Sequence, residues 1–240
     1  MFKVRVVMLA LTAVFVASAS ASVAQAATGP VWRVNKNVLA TKEVDAITDS
    51  LVEGTVAKLT GTVAGTAVTI TCSTVMSSGE LIGGNPGKDK EEIRFTNCKL
   101  LGSEEGKCAV SVAPTHALSE LDHAIGGGKI LVDFYPEPGK PFTTITISGG
   151  TCITKVSGPA GEVKMAAGAG YGVACETTEG EELVINTLHC PETAITEVEQ
   201  GEQNQRKIKV GLIFDNEPAT FSAQIRVHQV SQLPFGPFQS

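Results

Sequence analysis

Apolar and polar residues alternate along much of this chain with the two-residue period of half-buried strands. The clearest case lies near the C-terminus, where Ile208, Val210, Leu212 and Phe214 interleave with Lys207, Lys209, Gly211 and Ile213. Asp215-Asn216-Glu217-Pro218 has turn composition. Phe221, Ala223, Ile225 and Val227 then resume the alternation against Ser222, Gln224, Arg226 and His228. The pattern predicts an antiparallel hairpin. A second hairpin is predicted from Ile130, Val132 and Phe134, a turn over Pro136–Pro141, and a return over Thr143–Ser148 with Ile145 and Ile147 on one face. Proline and glycine crowd that turn and cannot continue a strand.

Two β-branched stretches predict further strands. Val68, Ile70 and Cys72 share one face of Ala67–Val75, and Ile93 and Phe95 share one face of Glu91–Asn97. Strands are also expected over 31–39, 108–113, 162–166, 171–177 and 182–187. Helical spacing is scarce. Leu118, Leu121 and Ile125 predict two turns over 117–125, ended by Gly126-Gly127-Gly128, and Val44, Ile47, Leu51 and Val52 predict a second short helix over 41–53. The Glu- and Gln-rich residues 191–206 read as a long exposed loop. Strands about eight to fifteen residues apart, with Gly/Pro turns between, predict an all-β fold: an antiparallel β-sandwich or barrel-like domain with at most one or two short helices.

The N-terminus departs from this pattern. Lys3 and Arg5 precede an almost unbroken apolar run from Val6 to Val16, and Ala24-Gln25-Ala26 follows, as a signal peptidase requires. Residues 1–26 are therefore expected to be a signal peptide and 27–240 a single secreted β domain, placed outside the cytoplasm, either secreted or in the cell envelope. No second long apolar run exists, so no integral membrane span is expected after cleavage. The sequence holds 19 basic and 25 acidic residues, a net charge of −6, with no basic cluster to displace counterions from a phosphate backbone, which argues against nucleic acid. An outer-membrane barrel is disfavoured by the few aromatic residues and by the ending Phe238-Gln239-Ser240.

Cys72, Cys98, Cys108, Cys152, Cys175 and Cys190 are even in number and contain no C-x-x-C, which in an exported protein points to three disulfides rather than zinc or thioredoxin chemistry. Cys98–Cys108 is expected to staple neighbouring strands, leaving Cys175–Cys190 and Cys72–Cys152 by elimination and proximity.

Catalytic patterns are sparse. Ser119, Asp122 and His123 lie close in sequence, but triads are assembled from distant segments, and Ser119-x-x-Asp122 fits a helix cap better. His116 and His123 are the first suspects if the chain is an enzyme, and with Asp122 they are a weak metal candidate, but no H-E-x-x-H occurs and His189 and His228 are remote. Gly126-Gly127-Gly128-Lys129 lacks the spacing of a phosphate loop, and Gly83–Gly87 is a turn cluster. The acidic runs around Glu181 and Glu197 lack the spacing of a calcium loop. No cofactor or metal is expected.

Val68-Thr69-Ile70-Thr71-Cys72, Ile82-Gly83-Gly84, Ile93-x-Phe95-x-x-Cys98 and Lys107-Cys108-x-Val110 together carry a likeness that continues through Asp133-Phe134 to Cys152. Over about half of the mature chain they resemble exported, β-rich, cysteine-containing proteins of high-GC soil bacteria. The resemblance implies a structural kinship and no particular activity. The expectation is a non-catalytic exported protein, binding or structural, with an envelope or extracellular ligand. The alternative is a secreted hydrolase whose site is assembled by folding.

Overall fold

The computed structural model describes residues 29–63, 65–102, 105–126, 128–149, 152, 161–177, 180–200 and 206–239; the expected signal peptide lies outside them. Within these residues the chain is all-β. Its strands are β1 (Val31–Val34), β2 (Asn37–Val38), β3 (Val44–Leu51), β4 (Ala57–Val63), β5 (Thr66–Ile82) and β6 (Lys88–Leu100). They continue with β7 (Ala109–Val112), β8 (Thr115–His123), β9 (Ile130–Pro136), β10 (Thr143–Ser148), β11 (Glu162–Met165) and β12 (Val173–Thr177). The last are β13 (Ile185–Cys190), β14 (Glu197–Gln200), β15 (Arg206–Lys209), β16 (Leu212–Phe214), β17 (Glu217–Gln229) and β18 (Phe235–Phe238). No helix among the described residues is long and apolar enough to cross a membrane.

Three long elements organise everything else. β5 and β6 form an extended hairpin, in register from Ile70↔Leu100 to Ile82↔Lys88, and β17 runs nearly as far. One end of each belongs to a closed antiparallel ring, β13-β12-β9-β8-β6-β5-β3-β17 and back to β13. The other ends join β4, β7, β10, β11 and β16 in a second ring. The two rings are stacked end to end, so the fold is the barrel form of the expectation.

The second ring has one seam. β6 and β7 lie side by side, but β7 is laddered to β10 alone. The β6–β8 ladder stops at Ile93↔Thr115, and the next residue of the second strand is Pro114, which has no N–H to donate. The first ring is closed at its far end by the small sheet β18-β1-β2, whose Trp32 and Phe235 rings plug the opening with centroids 6.5 Å apart. Its outward positions include Thr48, Glu80, Lys88, Lys90, Glu92 and Gln224, the reverse of the apolar band that lipid demands.

The C-terminal hairpin forms with a tighter turn than its composition suggests. Asp215 and Asn216 alone make the reversal, with φ of 52° and 67°, and Glu217 and Pro218 already pair within β17. Its first strand breaks at Val210-Gly211: β15 pairs with β14, and only β16 pairs with β17. Several expectations are corrected. Residues 117–125 and 41–53 are not helices but β8 and β3. β8 is buried on both faces, so its apolar residues fall on both sides and mimic helical spacing. The proposed Ser119/Asp122 helix cap therefore has no helix to cap.

β9 and β10 exist but are not partners, because β9 lies in the first ring between β8 and β12 while β10 lies in the second between β7 and β11. The loop expected over 191–206 contains β14, whose Val198 is fully buried against Leu131, Tyr171 and Ala174. β4 was not foreseen, and the strand expected over 182–187 is β13, shifted toward Cys190. Of the expected disulfides, Cys175–Cys190 forms. The others are Cys72–Cys98, directly opposite across β5–β6, and Cys108–Cys152, which anchors the approach to β7 beyond the end of β10; Cys98–Cys108 and Cys72–Cys152 do not form. The β5–β6 register decides this, because it places Cys72 and Cys98 face to face with Cα atoms 4.0 Å apart.

Candidate functional site

Strand alternation directs every second side chain inward, and the two rings receive very different sets. Into the first ring point Asp49 from β3, Ser77 from β5, Asp89 and Glu91 from β6, Ser119 from β8, Asn186 from β13 and Gln229 from β17, all buried. Gly79 makes room for Glu91, since a Cβ there would stand 2.7 Å from the Glu91 Cγ. These carboxyls have no buried cation among them. Burial raises the Asp89 carboxyl to about 7, with the nearby Asp49 charge adding to the shift and Ser119 opposing it. Burial, reinforced by Asp49 and Asp89, lifts Glu91 well above its ordinary value, and burial also raises Asp49. Ser119 lies beside Asp89, and Ser77 lies beside both Asp49 and Glu91, so the carboxyls and hydroxyls of this set act on one another. Burial and like charges held close together both raise the proton affinity of such carboxyls.

A second acidic group lies on the outside of β8 and β9, under the cover of β14 and Tyr171. Glu120 Oε1 accepts from the Tyr171 hydroxyl at 2.5 Å and from Gln200 Nε2 at 2.9 Å, and Lys88 Nζ lies 3.3 Å from Glu120 Oε2. Beside them Asp133 is fully buried with neither oxygen paired; burial, then the charges of Asp122 and Glu120, hold its carboxyl well above the usual range. Asp122 is pushed up to about 7, chiefly by burial. Among the described residues no cluster has the arrangement of a metal site.

Where the rings meet, the interior is apolar and incompletely filled. A cavity of about 110 Å³ lies at this waist, with a wall made wholly of apolar atoms. Phe95, Phe134, Phe142 and Phe221 surround it, and Ala57 and Ala117 contribute the smallest walls. Gly172 lets Phe142 reach this position, because a Cβ there would stand 2.4 Å from its ring. The Cys72, Cys175 and Cys190 side chains border the cavity, so two disulfides brace it. Lys58 is its one charged neighbour, and its ammonium turns to the surface to pair with Glu192.

The sequence-predicted residues do not assemble around this space. Ser119 points into the first ring, while Asp122, an odd number of residues along the same strand, points to the outer group. His123 closes β8 beside Ile130 and Glu199, with its Nε2 buried and unpaired. His116 is exposed opposite Glu92, His189 is exposed on β13, and His228 lies on the outer face of β17 opposite Thr48 and Ile185, with Val227, not His228, opposite Asp49. The cavity itself was not foreseen, because no single strand carries its signature. No protein-family model, curated protein or solved structure matches the chain.

Proposed function

We propose that this is an exported, non-catalytic binding protein of the cell envelope or extracellular space, and that the waist cavity is where it binds. One observation carries the reading: the cavity presents apolar atoms alone, while the carboxyls, Ser119 and His123 face other compartments of the fold. An occupant would meet no acid, base or nucleophile within hydrogen-bonding reach, which is the first requirement of general acid–base or covalent catalysis. Three disulfides with no free cysteine among the described residues are consistent with an oxidising compartment, and the signal-like first 26 residues support export. The likeness to exported β-rich proteins of soil bacteria points the same way.

The purified, disulfide-bonded chain should hydrolyse neither chromogenic acyl esters nor glycosides above the blank rate. Turnover that disappears in Ser119→Ala or His123→Ala would overturn the reading in favour of a hydrolase.

A further inference from the structure

We infer that the waist cavity accepts an uncharged hydrocarbon group of about the size of benzene, admitted through the seam between β6 and β7. This rests on the binding reading above and gives its ligand a chemical class. An apolar cavity of this kind excludes water, since water needs polar partners, and leaves its wall without contacts on one side. A hydrocarbon restores those contacts, whereas a charged or strongly polar molecule would lose its hydration and gain nothing from a wall that offers no donor or acceptor.

The volume sets the size. A cavity of about 150 Å³ lined by aliphatic and aromatic groups takes benzene; the space here, about 110 Å³, is smaller, so benzene marks the upper limit of what it holds. The four phenylalanines set the preferred shape, since ring edges and faces pack best against another flat or slender apolar group.

The route follows from the ladders. Around the rest of the second ring each strand is hydrogen-bonded to the next, but from Arg94 onward β6 has, among the described residues, a ladder partner on one side only, β5. Ile93 and Phe95 of β6 and Val112 of β7 line the cavity and are only half-buried, so the cavity wall and the seam share residues. Side chains can part there without breaking a backbone hydrogen bond. Two sources present the same chemistry: a free small hydrocarbon, or the end of a longer lipid chain whose polar head stays outside the seam.

The test uses the full disulfide-bonded chain and its thermal midpoint with benzene, benzoate and saturated fatty acids of increasing length. Benzene at ten times its Kd should raise Tm by roughly 4 °C, and benzoate, the same ring carrying a charge, should not. Ala117→Leu, with Ala57→Leu as an independent filling variant, should raise Tm without ligand and abolish the benzene shift. Val110→Trp, on β7 beside the seam but not lining the cavity, should slow benzene exchange, followed by NMR, by about tenfold with Kd unchanged. Fatty acids that bind through their tails, and are lost in the same filling variants, would identify the lipid-end source. Failure of every hydrocarbon to shift Tm, or persistence of the shift in both filling variants, would overturn the ligand class. That failure is separate from detection of turnover, which would overturn the non-catalytic reading instead.

Discussion

The two rings share β5, β6 and β17, and are built of the same antiparallel ladders, yet their interiors follow opposite rules. The first is packed with Asp49, Asp89, Glu91, Ser77, Ser119, Asn186 and Gln229 between its apolar residues. The second holds Leu59, Val68, Ile70, Ile145, Ile147 and Phe214 and, among the described residues, buries no titratable side chain inside. Closure by backbone hydrogen bonds is therefore indifferent to what fills the barrel. The difference lies in what each filling depends on: shared protons in one ring, shape and volume in the other. Polar side chains joined by protons are directional and hold the first ring in one arrangement under one range of pH. Apolar side chains impose no such condition, and where the two fillings meet they leave a space.

The largest effect expected from this contrast is on pH. Asp89, Glu91 and Asp49 all have folded-state affinities for protons above those of the unfolded chain, so the folded form binds more protons from about pH 4 upward. Their contribution is complete at acid pH and is lost as pH rises, that of Asp89 as pH passes through about 7 and those of Glu91 and Asp49 as pH passes above their ordinary carboxylate range. For Asp89 alone the loss is on the order of 4 kcal/mol, or about 10 °C in Tm. Ser77 on β5 and Ser119 on β8 face this set, His228 acts on Asp49 from the outer face of β17, and none of them supplies a buried permanent cation. Calorimetry between pH 5 and 9 should show Tm falling throughout, and Asp89→Asn should flatten the curve; a Tm that rises over this range would break the contrast.

Ile145→Ala in the second ring should cost roughly 3 to 4 kcal/mol, and by the same amount at pH 5 and pH 9. A pH-dependent cost in denaturant titrations would mean that the second ring is coupled to the carboxyls after all. Replacing Cys175 and Cys190 together by alanine should cost about 3 kcal/mol, from the 15-residue loop they close. Because β12 and β13 are laddered at Glu176↔His189 alone, hydrogen exchange should rise first in β12 and β13 of the first ring. Protection lost first in β10 or β11 would place the weak point in the wrong ring. Lys58→Met, which removes the surface pair with Glu192, should leave stability nearly unchanged, and a clear drop in Tm would show that the waist depends on surface charge.

The second ring was the more legible of the two. Strict alternation at Leu212–Phe214, Ile145–Ile147 and Val68–Cys72 reads directly as strands with one apolar face. In the first ring, inward Asp49 and Ser119 interrupt the apolar face of β3 and β8, while Glu120 and Asp122 are buried on the outer face of β8 by a later segment. Period-two reasoning fails where both faces are covered and polar groups pair with one another. Val198 was hidden for a similar reason, flanked by Glu197 and Glu199 that suggest solvent. The disulfide partners depended on register, and the cavity on twelve strands at once; neither is a property of any local stretch.

β17 is hydrogen-bonded to β3, β13, β4 and β16, and so takes part in both rings. It also comes almost last in the chain. A polypeptide that emerges from its N-terminus onward therefore carries four unsatisfied strand edges until residues 217–229 arrive, and neither ring can close before then. The order of delivery is built into the topology: both compartments stay open until β17, which follows all four of its partner strands, is delivered, and they are then sealed together.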